Sequence, residues 1–245
     1  ATYDALITSD AAGGLAPTSR LSTPLVFYGT NRAAFNFGTA SGNATLEFIL
    51  EGNPASTTSA FLAVGANSSS NLRYELYNNT GQLGFTQLGI ADYLFSPGVP
   101  CPTQATHITY LWSAGSQTMG LYRNGVLAGT RSLVDAGFGM PTGQGWLGAN
   151  PSNSENMVGT IHRLTAYQGL VSEEVIQNHA DAFNGIVRPP IIVSFTASTE
   201  TVFTPGSTTL MWEVQNANGV GINGTSVIAI ASLTVSPTVT TTYTL

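Results

Sequence analysis

The sequence predicts an all-β protein: two β-sandwiches in tandem, the first larger and closed by one short helix. Three observations predict it. Short apolar or alternating runs are separated throughout by turn residues. Asn124-Gly125 sits between two runs that can each be a strand. A Pro189-Pro190 pair is followed by a shift toward threonine, with Glu200 and Glu213 the only charged residues beyond it.

The first 33 residues are mixed. Residues 3–7 fit a short strand or a helical turn, and Gly13, Gly14 and Pro17 break it. Strands are expected at 25–28, 34–37, 45–50, 60–64, 72–77 and 83–86, with turns between them. In the 45–50 strand, Leu46, Phe48 and Leu50 share one face; Thr45, Glu47 and Ile49 share the other. Residues 96–104 hold three prolines and read as an irregular loop. An apolar strand at 108–112 leads into the hairpin around Asn124-Gly125. Both turn residues tolerate positive φ, which suits a two-residue type I′ turn. That turn pairs Arg123 with Val126, Tyr122 with Leu127, Leu121 with Ala128 and Met119 with Thr130. Met119, Leu121, Arg123, Val126, Ala128 and Thr130 then share one face, and Gly120, Tyr122, Leu127 and Gly129 the other. Neither face is plainly polar, so the hairpin belongs in a sheet stacked on another.

The convincing helix is 172–183. Ser172 caps it, Glu173 and Glu174 complement its positive end, and Asn184-Gly185 stops it. Val175, Ile176, His179 and Phe183 fall on one face, expected to pack over an edge or end of the sandwich. Residues 188–190 form a stiff linker. Beyond it, strands are expected at 191–198, 208–214, 220–223, 226–230, 233–235 and 240–245.

Composition narrows the function. Only 8% of the 245 residues are charged, against about a quarter in an average protein, so the surface is built from Ser, Thr, Asn, Gln and Gly. All seven cations are arginines, and the net charge is −6. With no basic patch, neither nucleic acid nor an anionic membrane is an expected partner. No apolar run reaches the roughly 18 residues a membrane helix needs, so no membrane insertion is expected. The chain opens Ala-Thr-Tyr, as a secreted protein does after signal removal or a chain trimmed at that point. Cys101 is the single cysteine, read as a loop thiol; an intermolecular bridge is the alternative.

The order "ITYLW", "GLYRNGVLAG", "WLGAN", "GTIHRLTAY", then a helix opening "SEEVI", resembles the laminin-G-like branch of the concanavalin-A-like sandwiches. The resemblance covers 108–183 well and 34–77 more loosely. Arg123 departs from the family's aliphatic residue in the hairpin. It implies a jelly-roll sandwich at 1–187. Beyond the linker, "SFTAS…VFTPGSTTLMWEV…SLTVSPTVTTTYTL" resembles bacterial immunoglobulin-like repeats, with Trp212 in the core and Tyr243 on a late strand. It implies a small immunoglobulin-like sandwich at 191–245. Such repeats run on into a last Val-rich strand, so this domain is expected to lack its final strand. Either the polypeptide continues beyond Leu245 or a neighbouring chain supplies the strand.

Glycanases on the first fold carry acids in a pattern such as Glu-x-Asp-x-x-Glu, because two carboxylates must flank the glycosidic bond. Here Glu47 and Glu51 share a face, but the intervening Asp is missing, and they read as a solvated strand edge. His107, His162 and His179 show no close pairing for a transition metal, and His179 reads as a packed helix-face histidine. No nucleophile elbow or phosphate loop occurs. Laminin-G-like domains often hold Ca²⁺ at the rim; Asp92, Asp135 and Asn150 are the candidates, and none is assigned. Tyr93, Phe95, Trp146 and Tyr167 are candidates for a sugar-stacking platform or for the core. No catalytic or cofactor-binding residue is assigned, and no enzyme activity is expected.

The resemblance implies non-catalytic recognition or adhesion at a bacterial surface, binding glycan or protein. The alternatives are a structural subunit of a surface filament or virion, assembled from copies of itself, and an ancillary module of a larger secreted glycanase.

Overall fold

The computed structural model describes residues 17–36, 42–53, 58–64, 72–77, 80–87, 91–133, 143–217 and 219–245. The expected first element at 3–7 and the candidate Asp135 lie outside them. The chain divides into two compact units, Ala1–Ile186 and Val187–Leu245.

The first unit is a two-sheet sandwich. Its strands are β1 (Pro17–Leu21), β2 (Leu25–Tyr28), β3 (Ala33–Asn36), β4 (Ala44–Gly52), β5 (Ser59–Val64), β6 (Leu72–Tyr77), β7 (Gln82–Gln87), β8 (Ala91–Leu94), β9 (Thr106–Ser113), β10 (Thr118–Arg123), β11 (Val126–Ser132), β12 (Gln144–Leu147) and β13 (Val158–Gln168). One sheet runs β1-β13-β4-β9-β10-β11, with β2 beside the other half of β13; the second runs β3-β12-β5-β6-β7-β8. Pro17, read from sequence as a breaker, opens β1, an edge strand where a missing N–H costs nothing.

The core lies between the sheets. Alternation in β4 sends Leu46, Phe48 and Leu50 inward. There Phe48, Phe61, Tyr74 and Tyr110 meet at ring-centroid distances of 4.7–6.2 Å. Thr45, Glu47 and Ile49 point out of the sandwich yet are buried: a helix covers Glu47 and Ile49, and the segment leading into it covers Thr45, whose Oγ1 donates to the Gly169 carbonyl.

That helix, α1 (Glu173–Phe183), starts at Ser172, whose Oγ accepts from the Val175 N–H, and ends at Asn184. It does not lie over an edge or end. It crosses the outer face of the first sheet, where Tyr122, Tyr167, Val171 and Ile176 form one apolar cluster. Ile49 meets Ala182 and Phe183 in another. The contacts span β10, β9, β4 and β13, the middle of the sheet. An amphipathic helix settles where the largest apolar strip is uncovered, and here the central strands provide it.

The hairpin has both turn residues at positive φ, Asn124 at 49° and Gly125 at 83°. Arg123 pairs with Val126 and Tyr122 with Leu127, as the turn requires. The register then shifts: Leu121 pairs with Gly129 and Met119 with Arg131. Ala128 is the extra residue of a β-bulge, which turns Gly129 to the core face. A Cβ there would meet the Pro97 carbonyl oxygen at 2.5 Å. Arg123 replaces the family's aliphatic residue to donate to the Pro100 carbonyl, 2.7 Å away.

The second unit is a small β-sheet region. A three-stranded sheet has β15 (Thr208–Gln215) between β14 (Ile191–Ala197) and β18 (Ile230–Val235), beside a hairpin of β16 (Val220–Ile222) and β17 (Thr225–Val227). Leu210, Trp212, Val214 and Ile222 form its core, and the Trp212 indole N–H donates to the Ile228 carbonyl at 2.7 Å. The strand expected at 240–245 forms no ladder; it is tied to Asn223 by one hydrogen bond through Thr242 and two through Thr244.

Candidate functional site

Glu47 and Glu51 part company. Both lie on the outer side of the first sheet, four residues apart. Glu47 is no solvated edge: it is fully buried beneath α1. His107 Nε2 donates to its Oε1 at 3.0 Å and His179 Nδ1 to its Oε2 at 2.9 Å. Burial pushes its pKa up, but the two imidazoles outweigh burial and hold the carboxyl well below the usual range. A carboxylate locked in this way between two side chains in a dry layer is a structural strut. Glu51 is half-exposed and pairs with His162 at 3.1 Å. The three histidines, scattered in sequence, thus each reach a glutamate or share one. Among the described residues no group of three or more His, Cys, Asp or Glu is arranged to hold a metal ion. Cys101 is buried in the main core, and burial pushes its thiol up to about 11, so it is shielded from exchange.

The opposite outer face, on the six-stranded sheet, is differently built. Alternation in Leu72-Arg-Tyr-Glu-Leu-Tyr77 puts Tyr74 and Leu76 in the core and Arg73, Glu75 and Tyr77 outside. Strand pairing then lines up one row across all six strands: Ala34, Trp146, Ala63, Arg73, Thr86 and Asp92. Ala63 is the small residue between Trp146 and Arg73. The Arg32 guanidinium stacks 3.9 Å from the Trp146 ring centroid. It also donates to the Asn150 and Pro151 carbonyls. Arg73 Nη1 donates to Glu155 Oε2 at 2.6 Å, and Asn150 Nδ2 donates to the same oxygen at 3.1 Å. Two buried donors on this row, Arg73 Nε–H and Trp146 Nε1–H, have no hydrogen-bond partner.

At the other end of the row a polar cluster centres on Thr86. Its Oγ1 lies 2.7 Å from Glu75 Oε2, 2.6 Å from Asp92 Oδ1 and 2.8 Å from the Tyr77 hydroxyl. Gly84 makes this possible: a Cβ there would lie 2.2 Å from Cε2 of the Tyr77 ring and 2.5 Å from the Tyr93 carbonyl oxygen. Burial raises the Glu75 pKa and Glu155 adds to the rise, while Thr86, Tyr77 and Arg73 oppose it.

Of the aromatic candidates, Tyr93 and Phe95 are core residues packed on Phe85, and Tyr167 is buried beneath α1. Trp146 alone reaches this outer face. Of the Ca²⁺ candidates, Asp92 is engaged by Thr86. Asn150 is spent on its own loop: Oδ1 accepts from Ser154 N–H and Nδ2 donates to Ser154 Oγ at 2.7 Å. Sequence reasoning missed Arg73, Glu75, Thr86 and Glu155. The alternation of 72–77 marked their face, but nothing local marked their partners.

Comparison with known proteins agrees with this architecture. The family model of the Concanavalin A-like lectin/glucanases superfamily matches residues 22–177, more than half of the chain. No curated protein matches. Among solved structures, the NanB sialidase from Streptococcus pneumoniae, in complex with an ammonioethanesulfonate compound, is 10% identical; the match covers 80% of this chain and 34% of that one, with a TM-score of 0.50. The receptor-binding domain of botulinum neurotoxin C/D mosaic serotype is 13% identical over 68% of this chain and 44% of that one, at 0.50. The CBM40 of the Ruminococcus gnavus IT-sialidase, bound to α2,3-sialyllactose, is 14% identical over 66% and 99%, at 0.47. At these identities the likeness is one of fold.

Proposed function

The chain belongs to the Concanavalin A-like lectin/glucanases superfamily, and on that premise we propose that its first unit is a non-catalytic recognition module, binding glycan or protein outside a bacterial cell. The observation that carries the reading is the row from Trp146 to Asp92. A half-buried indole, a small Ala63 and the unpartnered donors of Arg73 and Trp146 stand side by side; buried donors without acceptors favour a ligand that supplies them. A receptor-binding domain among the neighbours of like fold is consistent with such a role.

The same face argues against hydrolysis. Glu75 and Asp92 are the carboxyls brought together there, and the Thr86 hydroxyl bridges them. A glycosidic bond must lie between the two carboxyls of a glycanase, and that position is filled. Screening the protein on a glycan array tests the reading: binding lost in Trp146→Ala and Arg73→Ala supports it. Turnover of a plant or algal polysaccharide that is abolished by Glu75→Gln or Asp92→Asn overturns it.

A second reading, assembly with copies of itself, is favoured by the second unit. There β14 is an edge strand, with Ile191, Ile192 and Val193 each half-exposed. A groove of about 810 Å³ lies between Phe195–Ala197 on this strand and the segment holding Val239 and Tyr243. A strand of a second copy laid along β14 would pair its backbone and cover that strip.

A further inference from the structure

The Thr86 cluster contains more short oxygen–oxygen contacts than its hydroxyl protons can fill. Three contacts meet at Thr86 Oγ1, from Tyr77, Glu75 and Asp92, all at 2.8 Å or less. Each is a hydrogen-bond distance and needs one proton between the two oxygens. Thr86 and Tyr77 bring one hydroxyl proton each. Whichever way those two point, one contact between Thr86 and a carboxyl stays without a proton if both carboxyls are ionised. Two oxygens with only lone pairs between them repel, so a third proton belongs to the cluster. The carboxyl groups are its only other source.

Exposure decides which carboxyl holds it. Glu75 is buried, 3% exposed, whereas Asp92 is exposed. Desolvation penalises the charged form, so the proton goes to the buried acid. The groups facing Glu75 are Arg73 and Tyr77 on its own strand, Thr86 on β7, Asp92 on β8 and Glu155 before β13; the cross-strand neighbours Ala60 and Gly84 carry no charge. Arg73 is the one cation among them, and it is committed to Glu155 at 2.6 Å.

We propose that Glu75 is a neutral carboxylic acid in the resting fold, at pH values where an ordinary glutamate is ionised. It donates to Thr86, which donates to Asp92, and this chain ties the edge strand β8 to the middle of its sheet. When the proton leaves, two carboxylates face each other across one hydroxyl, the tie breaks, and the Asp92 end of the row loosens. The proton therefore sets the pH range in which the face is ordered. That regulatory role rests on reading this face as the recognition face; the proton itself does not.

The test is carboxyl ¹³C NMR on glutamate-labelled full chain, titrated from pH 3 upward, with Glu75→Gln for assignment. One glutamate that keeps its protonated shift well above the ordinary value of 4.5 and is missing in Glu75→Gln is the expected result. Gln donates an N–H where the acid donates its proton, so this variant should fold and keep the Asp92 tie at every pH. All glutamates titrating at or below 4.5 would overturn the proposal. So would a Glu75 signal that shifts on adding Ca²⁺ or EDTA, since a cation would then fill the cluster. Absence of glycan or protein binding with the high-titrating glutamate present would sink the recognition reading alone.

Discussion

Glu47 and His179, 132 residues apart, meet at 2.9 Å with neither side chain exposed. The contact joins the middle of the first sheet to the only described helix of the first unit, and His107 completes it from β9. The helix is thus held by a buried ionic strut as well as by Ile176 and Phe183.

Removing one partner should be costly. His179→Ala leaves the Glu47 carboxylate buried with half its support, a change of roughly 3–5 kcal/mol in comparable cases. Denaturant unfolding of the first unit should show it, and the double variant with Glu47→Leu should recover part of the loss. Equal stability of His179→Ala and the parent would mean that the strut contributes nothing.

The same strut predicts a pH dependence. The Glu47 pKa is lowered on folding, so the unfolded chain binds more protons in the acid range. The contribution is fully present above the ordinary value of 4.5 and is lost as pH falls below it toward the folded value. Thermal unfolding scanned from pH 7 to pH 2 should fall more steeply for the parent than for Glu47→Gln. Glu75 has the opposite sign. Its raised pKa subtracts stability as pH climbs above 4.5, and Glu75→Gln should flatten that limb.

Gly125→Val should destabilise the first unit. Gly125 has a φ of 83°, and a Cβ there would lie 2.8 Å from the Gln177 Cα in α1. A non-glycine residue in this region costs roughly 1–3 kcal/mol, before the clash with the helix. A lowered melting temperature checks it; an unchanged one would show that the hairpin turn does not depend on positive φ.

The second unit should depend on Trp212. It is 4% exposed and anchors the only core cluster described there. Trp212→Ala typically costs about 3–5 kcal/mol, most of what so small a unit has to lose. Limited proteolysis should then cut within 191–245 while the first unit stays intact.

Strand addition at β14 makes its own prediction. Native mass spectrometry across concentration should show self-association, and Val193→Lys should abolish it by placing a charge on the edge strand. A monomer at every concentration would exclude the second copy as the occupant.

What the sequence determined by itself was local. Side-chain alternation in β4 and β6, the Ser172 cap, the Asn184 stop and the Asn124-Gly125 turn each follow from the conformational preferences of neighbouring residues, and an all-β sandwich follows from their sum. Tertiary structure decided the rest. Glu47 reads as a surface residue until His107 and His179, 60 and 132 positions away, are folded onto it. A one-residue bulge at Ala128 shifts half the hairpin, and no rule of turn chemistry announces it. The row from Trp146 to Asp92 comes from five strands brought together by pairing rather than by sequence order. Burial and proton sharing are sums over neighbours from distant parts of the chain. A sequence states which groups are present, and only the pairing of strands states which of them must share a proton.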